Sequence, residues 1–466
     1  MEVIAGLLVC LGLWVLGWAL GAPATIGLLG ALAFGSTAIG SLGGSTVPAF
    51  VAQAAVLLFL TVTHRNFWRD LAGVLESQPV VHLICAIVAY SVATAFIFPR
   101  LFALQTTVFV PVGTLIVELP LGPVSGNINR AAYLILDCLV FVAFCILLRQ
   151  GRVAEVRLGF LVFAAINAAL GLTDVLGKLA GMGDILEPIR TADYNMLNEQ
   201  TAGEFFRIAG GFPEPSAYAA AGALPAIAFV FMDWRITKSR VSLTLASVLL
   251  ALLLFSTSST AYAGLAILLA IYSISSLISF MRGRVFIHHI VMFALGWMAL
   301  TLLLALYVFD ERQMDPVVKM LMNATVNKSL SGSAIERGMW NAQSIQNFFD
   351  TFGLGVGLGS TRSSSWPISV IAQLGVIGGV AFAIAVAALA TGPLRWKESE
   401  VGRLAACAST AGLAWICGSS FGGSGADPNM IFFVALATVS ATLAKTKRAR
   451  RMPSEPRPKL VPLRNL

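Results

Sequence analysis

Apolar runs long enough to cross a bilayer recur along this chain, and nearly all the charged residues lie between them. About twenty predominantly apolar residues make a transmembrane helix. Runs at 3–20, 24–42, 47–63, 80–98, 131–149, 158–173, 216–232, 241–257, 260–280, 286–309, 366–391, 403–420 and 429–444 fit that template, the first two short and glycine-rich. Only 12% of residues are charged and 57% are hydrophobic, against about 25% charged in an ordinary globular domain. A water-soluble fold cannot hide so much apolar surface, and a disordered or nucleic-acid-binding chain needs far more charge. The pattern predicts an all-α polytopic membrane protein of about 12–13 transmembrane helices. It forms one transmembrane domain over 1–444, followed by a basic tail over 445–466.

The positions of the cations set the orientation. Of the 31 Lys and Arg, 21 fall in short connections around Arg65, Arg152, Arg235, Arg282 and Arg395 and in the tail. The positive-inside rule places these in the cytoplasm. The tail, polybasic and proline-containing, reads as a solvated segment beside anionic lipid. The first run lacks a basic leader and an obvious cleavage site, so it reads as a retained anchor rather than a signal peptide. The other connections, about 99–130, 174–215 and 310–365, are too long to be simple turns. They hold the remaining 10 cations and most of the acids, which puts the polar chemistry on the outer face. Val317, Met320 and Leu321, then Ile345, Phe348 and Phe349, recur at helical spacing and predict short amphipathic helices in the third loop.

Cys10, Cys85, Cys138, Cys145, Cys407 and Cys417 all lie in apolar stretches, without disulfide or metal-type spacing. His64, His82, His288 and His289 form no ligand pattern, so no metal or other cofactor is expected. Asp137 is the one clear acid inside a span. Such a residue is either functional or a buried acid hydrogen-bonded to a neighbouring helix. No chain of charges crosses the membrane, which weighs against an ion-coupled transporter.

Two outer segments concentrate residues suited to chemistry. Phe205–Ala219 reads F-F-R-I-A-G-G-F-P-E-P-S-A-Y-A. Gly210 and Gly211 let the backbone turn sharply, and Pro215-Ser216 resembles a helix start. Arg207 there offers a planar bidentate fork for diphosphate, and Glu214 a general base for a sugar hydroxyl. The alternative is a helix cap with an Arg–Glu ion pair. The second segment runs from Ser333 through Arg337 and Trp340, then F-G-L-G-V-G-L-G-S-T-R-S-S-S-W from Phe352 to Trp366. Gly353, Gly355, Gly357 and Gly359 form neither a P-loop nor a dinucleotide fingerprint. Beside Arg362 they could offer backbone N–H groups to an anion, or form a re-entrant hairpin. Trp340 and Trp366 fit either an interfacial belt or a sugar platform. Ser256–Tyr262 is a hydroxyl-rich turn able to cap helix ends, and Gly422–Asn429 is an outer turn carrying Asp427.

An Arg followed by Gly-Phe-x-Glu-Pro-Ser entering a span resembles the bacterial O-antigen ligase and polymerase family. So do Arg-x-x-Trp at Arg337–Trp340, the glycine repeat, and Leu-Gly-x-x-Gly at Leu374–Gly378. The pattern is most similar to Wzy-type exopolysaccharide repeat-unit polymerases. The resemblance implies a C-type glycosyltransferase-like fold in the bacterial inner membrane, with its site facing the periplasm. Donor and acceptor would both be glycans on undecaprenyl diphosphate, used without metal or nucleotide sugar. A chain-length regulator of the co-polymerase type is an implied partner. Arg207 and Arg337 inherit the diphosphate role by position, with Arg362 beside them. Ser216, Tyr218, Trp340, Gly355 and Gly357 would contact substrate. Glu214 is the expected base, with Asp193 or Glu336 as alternatives. Ser258, Ser259, Thr260 and Ala261 replace the ligases' Ser-Arg-Gly/Thr-Ala, and Ser364, Ser365 and Trp366 stand where ligases carry a His. Both departures favour a polymerase over a ligase. An O-antigen ligase or protein O-oligosaccharyltransferase is the alternative within the same chemistry, and a lipid-linked oligosaccharide flippase the alternative outside it.

Overall fold

The computed structural model describes residues 2–42, 45–113, 115–192, 201–202, 205–256, 258–281, 332–395 and 399–451. The described chain is mostly helical. Its helices are α1 (Glu2–Ala19), α2 (Pro23–Ala31), α3 (Ala49–Val62), α4 (Phe67–Ser77), α5 (Pro79–Leu101), α6 (Ser125–Arg149) and α7 (Val153–Leu179). They continue as α8 (Pro215–Thr237), α9 (Arg240–Phe255), α10 (Ser259–Met281), α11 (Gly332–Asp350), α12 (Trp366–Ala390), α13 (Glu400–Ser419) and α14 (Asn429–Arg451). Among the described residues, α5, α6, α7, α8, α12 and α13 are long and apolar enough to cross a membrane. The pair α3 and α4, bent by 100°, meets the same criterion only when the two are taken together, as a broken span or a re-entrant loop. Val3–Ala19, Arg240–Phe255, Ser259–Ile274 and Asn429–Ala444 are shorter apolar helices. This is a multi-pass, all-α membrane protein. The expected run at 286–309, the residues Val317, Met320 and Leu321, and the tail beyond Arg451 lie outside the described residues.

One expected span is corrected. Residues 24–42 do not cross: α2 has nine residues and reaches only about 13 Å at 1.5 Å per residue. Its residues from Ala24 to Ala31 are all buried, packed among α1, α3 and α7. The chain then turns through Gly35 and Ser36 into a hairpin, β1 (Ala38–Leu42) with β2 (Ser45–Pro48). A run apolar on every side is a core helix as readily as a span when its length falls short.

The long connections also differ from expectation. In the first, β3 (Thr107–Val112) and β4 (Leu115–Pro120) form a hairpin whose ladder satisfies its own backbone. In the second, α7 runs on to Leu179, and two short strands, β5 (Thr201–Ala202) and β6 (Phe205–Phe206), pair before α8. In the third, α11 is the expected amphipathic helix, but its faces are distinctive. Ser344 and Asn347 are buried, while Ile335, Met339, Ile345 and Phe349 are exposed. The polar face packs inward on loops and the apolar face is left outward, as suits a helix lying at a lipid boundary. The buried core runs continuously from α2 through α6, α7 and α8 to α13 and α14.

Candidate functional site

Two loops bring the candidate residues together, and each is held by its own device. The first leads into α8. Asp174, one turn before the end of α7, is 3% exposed. Its carboxylate accepts from the backbone N–H of Ala209 (2.7 Å) and Gly210 (3.0 Å). Lys178 Nζ lies 2.9 Å from the same carboxylate and donates to the Arg207 carbonyl at 2.7 Å. Arg190 donates to the Gly210 carbonyl and to Asp184, both at 2.5 Å. Buried charges persist only when paired and hydrogen-bonded, and here Asp174, Lys178 and Arg190 each bond to the 207–210 backbone. Gly211 then meets the end of α2, where Ser36 donates to its carbonyl. A Cβ at Gly211 would lie 2.3 Å from the Ala33 oxygen. Arg207 and Glu214 are thereby fixed at the entrance to α8.

The second loop, 351–365, contains no comparable ion network. Helix α12 is broken at Gly375, which has φ 64° and ψ −161°. A break frees backbone groups that must find partners. Val356 N–H donates to the Ala372 carbonyl and Gly357 N–H to the Gln373 carbonyl, both at 2.9 Å. Tyr90 donates to the Leu374 carbonyl at 2.9 Å, and Val376 N–H returns to Gly353. Gly353, Gly355, Gly357 and Gly359 all have positive φ. A Cβ at Gly357 would lie 2.6 Å from the Thr94 oxygen, and one at Gly359 2.3 Å from the Gly126 oxygen. Gln373 completes the lock, accepting from Gly359 N–H and donating to the Thr361 carbonyl. Arg362 N–H closes on the Phe109 carbonyl of β3 at 2.8 Å.

These two loops and α11 converge on one cluster. Arg337 Nη2 lies 3.7 Å from Glu214 Oε2, with the two side chains 27% and 28% exposed. Ser216 donates to the other Glu214 oxygen at 2.5 Å. Arg362 lies over the Trp340 ring with its Cζ 5.1 Å from the centroid. Burial pushes the Arg207 guanidinium below its usual range; Glu214 opposes that shift and Arg337 adds to it. Burial likewise pushes Arg362 down, Glu214 opposing and Arg130 and Arg337 adding. Several guanidinium groups thus gather around a single carboxylate. Arg stays protonated against such shifts, so among the described residues of the cluster the cations outnumber the carboxylate. An anion entering it would relieve both the repulsion and the burial penalty.

Arg207, Glu214, Ser216, Arg337, Trp340 and Arg362 therefore lie near one another. Others do not. Tyr218 is fully buried, its hydroxyl directed at the Asn167 carbonyl of α7 (3.3 Å) and its ring against Gly171 and Gly210. It packs the wide π-helical turn Tyr218–Ala223 that opens α8 and presents no surface to a substrate. The N–H groups of Gly355 and Gly357 are spent on Thr351 and Gln373, so these glycines dock the loop rather than offer donors to an anion. Trp366 is neither belt nor platform: it is 5% exposed, donates to the Ala426 carbonyl and packs on Trp415 and Phe382. Glu336 is exposed on α11, and Asp193 lies outside the described residues. Asp137 is buried in α6, with Asp427 of the last loop nearby.

Sequence reasoning missed Asp174, Lys178 and Arg190 as the clamp, although Asp174 and Lys178 stand at i,i+4 on one helix. It also gave Arg130 no role. Among the described residues no three of His, Cys, Asp and Glu gather as metal donors would. No protein-family model matches this chain, and no curated protein matches its sequence.

Proposed function

We propose that the chain is a glycosyltransferase that polymerises undecaprenyl-diphosphate-linked oligosaccharide repeat units at the periplasmic face of a bacterial inner membrane. The observation that carries this reading is the gathering of Arg207, Arg337 and Arg362 around Glu214 at the end of a bundle of membrane helices. A diphosphate ester leaves well when its developing charge is stabilised, and preorganised guanidinium groups at a low-dielectric boundary do this better than water.

The acceptor hydroxyl attacks the anomeric carbon of the donor. The bond from that carbon to the diphosphate oxygen breaks, and undecaprenyl diphosphate leaves with the electron pair. Glu214 takes the hydroxyl proton. Its ion pair with Arg337 is long, and an arriving diphosphate competes for that arginine. As Arg337 turns to the phosphate, the Glu214 carboxylate is released to meet the acceptor hydroxyl. Ser216 holds the carboxylate in place during the exchange. A single displacement inverts the anomeric centre.

The test is turnover of purified protein on lipid-linked repeat unit, with and without a second lipid or protein acceptor. Growth of the glycan on its own carrier supports polymerisation. Transfer only to the added acceptor would make the protein a ligase, and movement of the lipid across vesicles without any new bond would make it a flippase.

A further inference from the structure

Beside the cluster lies a small pocket of about 70 Å³ to which Arg130 and Arg362 both contribute. Ligand pockets span roughly 300–1,000 Å³, so this one admits an oxyanion and leaves the group that carries it at its mouth. No carboxylate lines it. Arg130 has no ion-pair partner within 4 Å and no side-chain hydrogen bond among the described residues. Arg362 Nε is buried with no hydrogen-bond partner there. Two guanidinium groups facing one cavity with no carboxylate in its lining favour an anion there.

The rest of the lining suits the edge of a glycan resting at the mouth. Phe109 and Pro111 of β3 form an apolar wall, and Thr361 and Ser424 supply hydroxyls opposite. Gly126, Gly359 and Gly425 leave the remaining walls bare of side chains. The frame is rigid, since Gln373 is committed at both ends of its amide. Arg362 joins the pocket to the cluster, its guanidinium stacked on Trp340.

We propose that this pocket binds the oxyanion of an acidic sugar, a carboxylate or a phosphate carried on the glycan, apart from the lipid diphosphate at Arg207 and Arg337. The pocket would then select glycans that carry a negative charge next to the linkage being made. The identity of the ligand as glycan rests on the transferase reading above; the anion binding does not.

Isothermal titration of the full-length protein in lipid nanodiscs tests this without turnover, so failure of the transferase reading leaves the result intact. The probes are glucuronate, glucose 6-phosphate, inorganic phosphate and neutral glucose. Glucuronate binding identifies the carboxylate source and glucose 6-phosphate the phosphate source. Glucose should bind at least about tenfold more weakly than the better of the two. Arg130→Gln should weaken the acidic probe by about tenfold or more. Gly425→Asp is the second variant. A Cβ there lies 3.5 Å from the Arg130 guanidinium carbon, an ordinary contact, so the new carboxylate can fill the pocket without disturbing the fold. It should abolish binding while thermal unfolding stays unchanged. Equal binding of glucose, no binding of either acidic sugar, inorganic phosphate binding as tightly as the sugar acids, or wild-type affinity in both variants would each overturn the proposal.

Discussion

The two loops that deliver arginines to the cluster are built by opposite means. The loop before α8 is held by charge: Asp174, Lys178 and Arg190 grip its backbone from inside the protein. The loop before α12 is held without charge, its glycines interlocking with the carbonyls freed at Gly375 and the Gln373 amide bonding it at both ends. Each therefore fixes an arginine without using that arginine as its anchor. Arg207 and Arg362 are positioned by other residues, so their guanidinium groups are not what anchors the loops. A loop anchored through its own arginine would have no charge left for a ligand.

This contrast can be broken or sharpened by substitution. Arg207→Ala and Arg337→Ala should reduce polymer by on the order of a hundred- to a thousandfold, with single repeat units accumulating on lipid, as read on glycan gels. Normal chain lengths in both would remove the diphosphate clamp. Glu214→Gln should lower turnover by about a hundredfold or more while labelled lipid donor still binds; unaltered polymerisation would move the base elsewhere. Asp174→Asn strips the buried clamp of its anion and should destabilise the protein by about 3–5 kcal/mol, seen as a lower unfolding midpoint in detergent. Gly359→Ala forces a side chain into positive φ and onto the Gly126 carbonyl, for a cost of at least about 1–3 kcal/mol. That change should disturb Arg362 and leave Arg207 in place, the reverse of Asp174→Asn. The smallest effect belongs to Trp340→Ala. Loss of the ring under Arg362 removes about 0.5–2 kcal/mol of cation–π attraction, which a modest rise in KM for the lipid donor would report.

How much of this was legible in the chain follows from the range of each interaction. Hydropathy finds α5, α6, α7, α8, α12 and α13 because a bilayer imposes length and apolarity locally. It fails at α2, where the same composition fills a core. Arg207, Glu214 and Arg337 were legible as a motif, since residue type and loop position suffice to nominate them. The glycine repeat was legible as a turn, but not as a dock. Its partner is the break at Gly375, and nothing local says that the Ala372 and Gln373 carbonyls need donors from 16 residues away. Arg130 was hidden for a similar reason: its importance comes from lying in one pocket with Arg362, a juxtaposition made only by the fold. Tyr218 misled because it adjoins the motif in sequence, while the π-helical turn directs it into α7.

The central claim is that an arginine cluster at the end of the bundle stabilises a departing lipid diphosphate. The most direct measurement is single-turnover glycan transfer from radiolabelled undecaprenyl-diphosphate repeat unit by purified protein, comparing wild type, Arg337→Ala and Arg337→Lys. Wild type should form dimeric and longer repeats with release of free lipid diphosphate, Arg337→Ala should form none, and Arg337→Lys should fall between, keeping the charge without the bidentate fork. Release of lipid diphosphate at the wild-type rate by Arg337→Ala would contradict the account.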